Sequence, residues 1–146
     1  MNYLPVSYHQ DFYAWAIYNA YLLKQGKLSE IDVENLIEEL EGLAKRDRRT
    51  LLSRLAVLLA HLLKWQFEPQ RRSKSWQRTL VEQRKQVYQL LQDSPSLKHQ
   101  LVASLADAYD SALRQAADET GLDESNFPVT CPYTLTQALD KEFYPE

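Results

Sequence analysis

The segment Leu51–Trp65, LLSRLAVLLAHLLKW, is apolar on nearly every side of a helix, yet it carries Arg54, His61 and Lys64. A helix that is hydrophobic all round is normally a buried one, and a charge taken out of water is costly unless it is paired and hydrogen-bonded. The chain must therefore wrap other helices around this segment and supply partners for its charges. A membrane span takes about 20 consecutive apolar residues, and this stretch is both too short and too interrupted for one.

The rest of the chain supplies those helices. Three glycines in 146 residues, with abundant Ala, Leu, Gln, Glu, Lys and Arg, favour helix. No long alternation of apolar and polar positions marks a strand. The expected fold is all-α, a single-domain bundle of about five helices joined by short connections. Helices are expected at about 12–25, 32–48, 50–67, 75–92 and 95–120, with a short one at about 133–143 and an irregular C-terminal arm.

Local signals support these limits. Asp11 is placed to cap the first helix and Gly26 to end it. Pro69 stops the third helix, Ser94-Pro95 opens the fifth, and Thr120-Gly121 closes it. In the second helix Val33, Leu36, Ile37, Leu40, Leu43 and Ala44 form one apolar stripe, expected to face the core, with Asp32 and Glu39 at its edge. In the fourth, Arg84 occupies a stripe otherwise made of Trp76, Leu80, Val87, Leu90 and Leu91.

Charge and cysteine content narrow the function classes. Seventeen basic against twenty acidic side chains give a net charge of -3, which argues against a dedicated nucleic-acid binder that must neutralise phosphates. Cys131 is the sole cysteine; it excludes an intramolecular disulfide and fits a reducing compartment. The start, MNYLPVSYHQDF, lacks the basic and apolar regions of a signal peptide. A cytoplasmic protein is expected.

The candidate site is an interior polar cluster of Asp32, Glu39, Arg54, His61, Lys64, Trp65, Trp76 and Arg84. Arg54, His61 and Lys64 share a stripe, and helices two and four would bring carboxylates and Arg84 to them. One reading is a buried ion-pair network that fixes helix register, with Trp65 and Trp76 packed over it. The other makes His61, with Glu39 or Glu38, an acid/base pair or the lining of an anionic-ligand pocket. A metal is not expected, because the Glu-x-x-His pairs of helix-bundle metal sites are missing. Cys131 reads as a small buried thiol anchoring the C-terminal arm; a nucleophilic role would need a nearby base. A surface basic patch comprises Arg48, Arg49, Arg71, Lys74 and Arg78. With the neighbouring Trp76 it suits phosphate contact or base stacking, although solvated loops with Arg72 and Trp76 packed back on the bundle explain it as well.

Several pieces in order, IDVENLIEELEGL (31–43), SRLAVLLAHLLKW (53–65), Pro69, Arg72, Ser75-Trp76 and Gln83-Arg84, then Pro95-Ser96-Leu97, Ala108-Tyr109, Glu119-Thr120, Phe127-Pro128 and Cys131-Pro132-Tyr133, resemble the bacterial family known as domain of unknown function 29. The resemblance covers nearly the whole chain and implies an all-helical fold. It implies no activity, ligand or partner.

No catalytic residue, cofactor or metal is assigned. The leading expectation is a non-enzymatic helical protein acting through a protein partner or its own oligomerisation, since nine tyrosines and three tryptophans are of the type enriched where proteins meet. The C-terminal arm, with Phe127, Tyr133, Phe143 and Tyr144, would latch onto its own bundle or a neighbour's. The alternatives are an enzyme or anionic-ligand receptor built on the interior cluster, and nucleic-acid contact through the basic turns.

Overall fold

Asp11 starts the first helix as its spacing predicts: in extended backbone conformation, its carboxylate accepts the N–H of Ala14. The structure, a computed structural model, describes residues 6–146; the first five positions of the segment read for a signal peptide lie outside them. The described residues form five α-helices: α1 (Phe12–Lys24), α2 (Val33–Phe67), α3 (Lys74–Asp93), α4 (Leu101–Thr120) and α5 (Leu135–Leu139). No strand occurs among the described residues, so the fold is all-α.

The main departure from expectation is α2. It runs for 35 residues without a break, where two helices at 32–48 and 50–67 were expected. Reversal of charge along Lys45-Arg46-Asp47-Arg48-Arg49 is not a helix breaker, and neither Gly nor Pro lies there. Thr50 turns its hydroxyl inward along the helix, donating to the carbonyl of Arg46 at 2.9 Å. Further along the chain, Pro95–Gln100 forms 3₁₀ turns ahead of α4, and the last helix is shorter than expected. Gly121 ends α4 with φ +76°, the left-handed conformation that L side chains rarely adopt.

The described chain falls into two compact units that divide between Lys45 and Arg46. The first holds α1 and the beginning of α2, and its interior is small: Trp15, Asn19 and Leu22 are its buried side chains on α1. In the second, Leu51, Leu55, Leu58, Leu59, Leu62 and Leu63 of α2 are completely buried. They pack with Leu80 and Val87 of α3, with Leu105, Ala108, Tyr109, Ala112 and Ala116 of α4, and with Phe127 and Tyr133 of the arm. Each such leucine contributes about 1.5–3 kcal/mol of burial. The apolar segment is thus the spine of the second unit. Val102 of α4 is exposed.

The arm closes on its own unit. Tyr109 donates its hydroxyl to the carbonyl of Pro128 at 2.6 Å, and Tyr133 donates to Gln66 Oε1 at 2.8 Å. Phe127 meets Phe67 edge-on, and the ring of Tyr144 lies 5.1 Å from that of Trp65.

Candidate functional site

The residues expected to form one interior cluster fall into separate groups, each with its own partners. In the first unit, Asp32 ties the start of α2 to α1. Its carboxylate accepts the indole N–H of Trp15 at 2.9 Å and the side-chain amide of Asn35 at 2.8 Å. Its own backbone N–H donates to Asn19 Oδ1 at 2.8 Å. These donors, Asn35 foremost and then Trp15, hold the Asp32 carboxyl below its ordinary pKa. Glu39 accepts from the hydroxyl of Tyr8, and that bond, more than burial, raises the Tyr8 pKa to about 12. Asp32 and Glu39 are therefore bracing groups within the first unit.

The second unit provides a different carboxylate for the cations of α2. Lys64, buried, donates to Glu119 in the last turn of α4, lies 3.4 Å from His61 Nε2, and sits 4.9 Å over the ring of Trp76. His61 Nδ1 is 2.9 Å from the carbonyl of Val57. A carbonyl only accepts, so Nδ1 carries the proton and Nε2 is free to accept from the Lys64 ammonium. Burial pulls the His61 pKa down; the Val57 hydrogen bond opposes it in part, Lys64 adds a smaller lowering effect, and Glu119 opposes it least. The ring is thereby kept neutral beside a cation. Arg54 is half-buried and belongs to no ion pair or hydrogen bond among the described residues. Glu119 escaped the sequence reading as a site residue; its only signal was the Glu119-Thr120 pair in the family-like pieces.

Arg84 does point inward, as its place in the α3 stripe predicts, but it serves the arm. Its Nε donates to the carbonyl of Ala138 at 2.9 Å and its Nη2 to that of Phe143 at 2.8 Å. The guanidinium faces the ring of Tyr144 at 5.7 Å. Trp65 is covered by Arg72, whose Nε reaches the carbonyl of Trp65 at 2.7 Å with the guanidinium 5.0 Å from the ring. Within the group His61–Lys64–Trp76–Glu119 the Lys64 ammonium thus meets a carboxylate, a ring nitrogen and an aromatic face. Among the described residues no three His, Cys, Asp or Glu side chains group as metal ligands would. Cys131 donates to the carbonyl of Tyr133, and burial pushes its thiol pKa up, the opposite of what a nucleophile needs.

The basic patch is partly tied down. Arg48 pairs with Asp107 at 3.5 Å, and Arg71 donates to the carbonyl of Thr120 at 3.3 Å and lies 4.0 Å from Glu68. Arg49, Lys74 and Arg78 are exposed.

The first unit also leaves apolar side chains open on its surface. The α2 stripe expected to face the core does not: Val33 is 52%, Ile37 50% and Leu40 65% exposed. Leu43 and Ala44 are exposed with them, and Leu36 is half-buried. The reason is that the bonds to the preceding segment are made at the edge of the stripe, by Asp32 to Trp15 and Asn19 of α1 and by Glu39 to Tyr8. On α1, Phe12, Tyr13, Ile17 and Leu23 are also exposed. The described part of the first unit thus leaves a run of apolar side chains in solvent.

No helix among the described residues is long and apolar enough to cross a membrane. No curated protein and no solved structure matches the chain. The family model described as "Domain of unknown function DUF29" matches residues 7–144. Over nearly its whole length, then, the chain belongs to the DUF29 family.

Proposed function

We propose that this chain is a non-enzymatic helical interaction protein, and that it acts by pairing with a second copy of itself through the apolar face of the first unit. The observation that carries the reading is the exposed stripe of Val33, Ile37 and Leu40, continued by Leu43 and Ala44, beside an edge where Asp32 and Glu39 already have partners. Charge selects the partner and its direction. Glu34, Glu38 and Glu41 precede Lys45 and the basic run that follows it. An antiparallel arrangement sets the acidic end of one copy against the basic end of the other, whereas a parallel one stacks like charges. A cytoplasmic setting is part of the same proposal, consistent with a single cysteine kept as a thiol.

Sedimentation of the full chain across a wide concentration range tests this. The expected result is twice the monomer mass, with dissociation at high salt, and a monomer for Leu40→Asp with an unchanged helical circular-dichroism spectrum. A wild-type monomer at every concentration overturns self-association. If such a monomer still retains a specific protein from its host through the same face, the broader interaction reading stands with a different partner. If it retains none, both fall.

A further inference from the structure

We propose that a pocket in the second unit, walled by Val81, Arg84, Lys85, Tyr88, Leu139 and Lys141, binds a small organic anion: a phosphate or carboxylate head carried on a flat apolar body. This site is independent of the pairing face.

The first argument is the state of Arg84. It is only 6% exposed, yet its hydrogen-bond partners are two neutral carbonyls. Its Nη1 is buried and has no partner at all. Among the described residues no carboxylate lies within ion-pair distance of it. Asp140 acts on it through space, but that side chain is exposed and accepts the backbone N–H of Glu142 at 2.9 Å. A buried cation without a contacting counter-charge is an expensive arrangement. Lys64 in the same unit shows the usual solution, a carboxylate in contact. Arg84 lacks one, and it forms part of a pocket wall.

The second argument is the company it keeps there. Lys85 follows it on α3, and Lys141 comes from the turn after α5; both are exposed and neither forms an ion pair among the described residues. The lining contains three cations and no carboxylate. An anion entering this space gains from all three, and the partly enclosed setting strengthens that attraction over its value in open water.

The third argument concerns the body of the ligand. Val81 and Tyr88 are exposed apolar side chains one turn to either side of Arg84 on α3, and Leu139 completes the wall. The space measures about 400 Å³, within the range of small-molecule sites and too large for a bare inorganic ion. The Tyr88 ring offers a face on which a planar group stacks. A cationic wall joined to an apolar one selects an amphipathic anion over a simple one.

The test follows amide signals of the full isotope-labelled chain on titration with phenyl phosphate, benzoate, inorganic phosphate and phenol. Expected are saturable shifts along 81–88 and 139–141 with phenyl phosphate or benzoate, the tighter of the two identifying the head. Phenol lacks the charge and inorganic phosphate the body, so each should bind about tenfold more weakly or worse. The double variant Lys85→Ala/Lys141→Ala changes only exposed side chains, so it should fold normally and bind the organic anion about tenfold more weakly. Arg84→Lys, which keeps the charge, should retain part of the affinity, with arm signals reporting whether the C-terminus stays in place. Absence of shifts with both organic anions at millimolar concentration overturns the proposal. So does equal binding of phenol, or unchanged binding by the double variant.

Discussion

The contact between Lys64 and Glu119 is one ion pair with two unlike ends, so its two halves should not be equally costly to remove. The Lys64 side chain is 6% exposed and that of Glu119 is 47% exposed. Replacing Glu119 by Ala leaves an ammonium group stranded inside the unit, with only the His61 imidazole and the Trp76 ring near it. Breaking a buried pair in this direction costs about 3–5 kcal/mol, and the half-open side of this one admits water, which brings the expected loss to about 2–3 kcal/mol. Replacing Lys64 by Met removes the buried charge and fills its path with an apolar chain, while Glu119 is released to solvent. The loss there is the cation–π contact with Trp76, about 0.5–1 kcal/mol, offset by relief of the Lys64 desolvation. The net cost is expected at about 0–1 kcal/mol. Urea denaturation followed by circular dichroism at neutral pH measures both variants. With a slope of about 1–3 kcal/mol per molar urea, a gap of about 2 kcal/mol separates their midpoints by roughly 1 M. Glu119→Gln, which keeps an acceptor, should fall between them. The reasoning is refuted if Lys64→Met is as destabilising as Glu119→Ala.

Three further perturbations test other parts of the structure. Burial holds His61 below its ordinary pKa of 6.5, so the unfolded chain takes up this proton before the folded one does; the neutral ring's contribution is complete above about pH 6.5 and is lost as pH falls through the folded value. His61→Gln should therefore flatten the acid side of the stability profile, and an unchanged slope would show that other groups cause it. Gly121 has φ +76° and nothing within 4 Å of where a Cβ would sit, so Gly121→Ala should cost about 1 kcal/mol, from backbone strain alone, by the same denaturation assay. Asp32→Ala removes the acceptor for Trp15 and Asn35 and should lower exchange protection in α1 with a shift in Trp15 emission; unaltered protection would mean the first unit is braced elsewhere.

Much of this architecture is written in local signals. The cap at Asp11, the break before Pro69, the left-handed Gly121 and the inward position of Arg84 all follow from residues within a turn or two. What is not local was harder to read. Lys64 and Glu119 are 55 residues apart in sequence, and no periodicity on α2 names a carboxylate on α4. Arg84 takes backbone carbonyls as partners, and every residue has one, so no residue type announces them. The stripe of Val33, Ile37 and Leu40 shows why an amphipathic pattern predicts a helix better than it predicts burial. Periodicity defines the face, but what covers it depends on the neighbouring helix, and here α1 is met by the polar edge. The charge run at 45–49 misled in another way, since a change of sign along a helix costs little when side chains are solvated.

The manner in which the C-terminal arm is held has a consequence for how this protein tolerates change. Arg84 grips the carbonyls of Ala138 and Phe143, Arg72 donates to that of Pro145, and Tyr109 donates to that of Pro128. These clamps read the path of the main chain and are blind to most of the side chains along it. Exposed arm positions such as Thr136 and Glu142 are therefore free to drift so long as the backbone keeps its course. The gripping residues have no such freedom: one altered arginine on α3 loosens two points of the arm at once. Diversity would accumulate on the strap and constraint on the buckle.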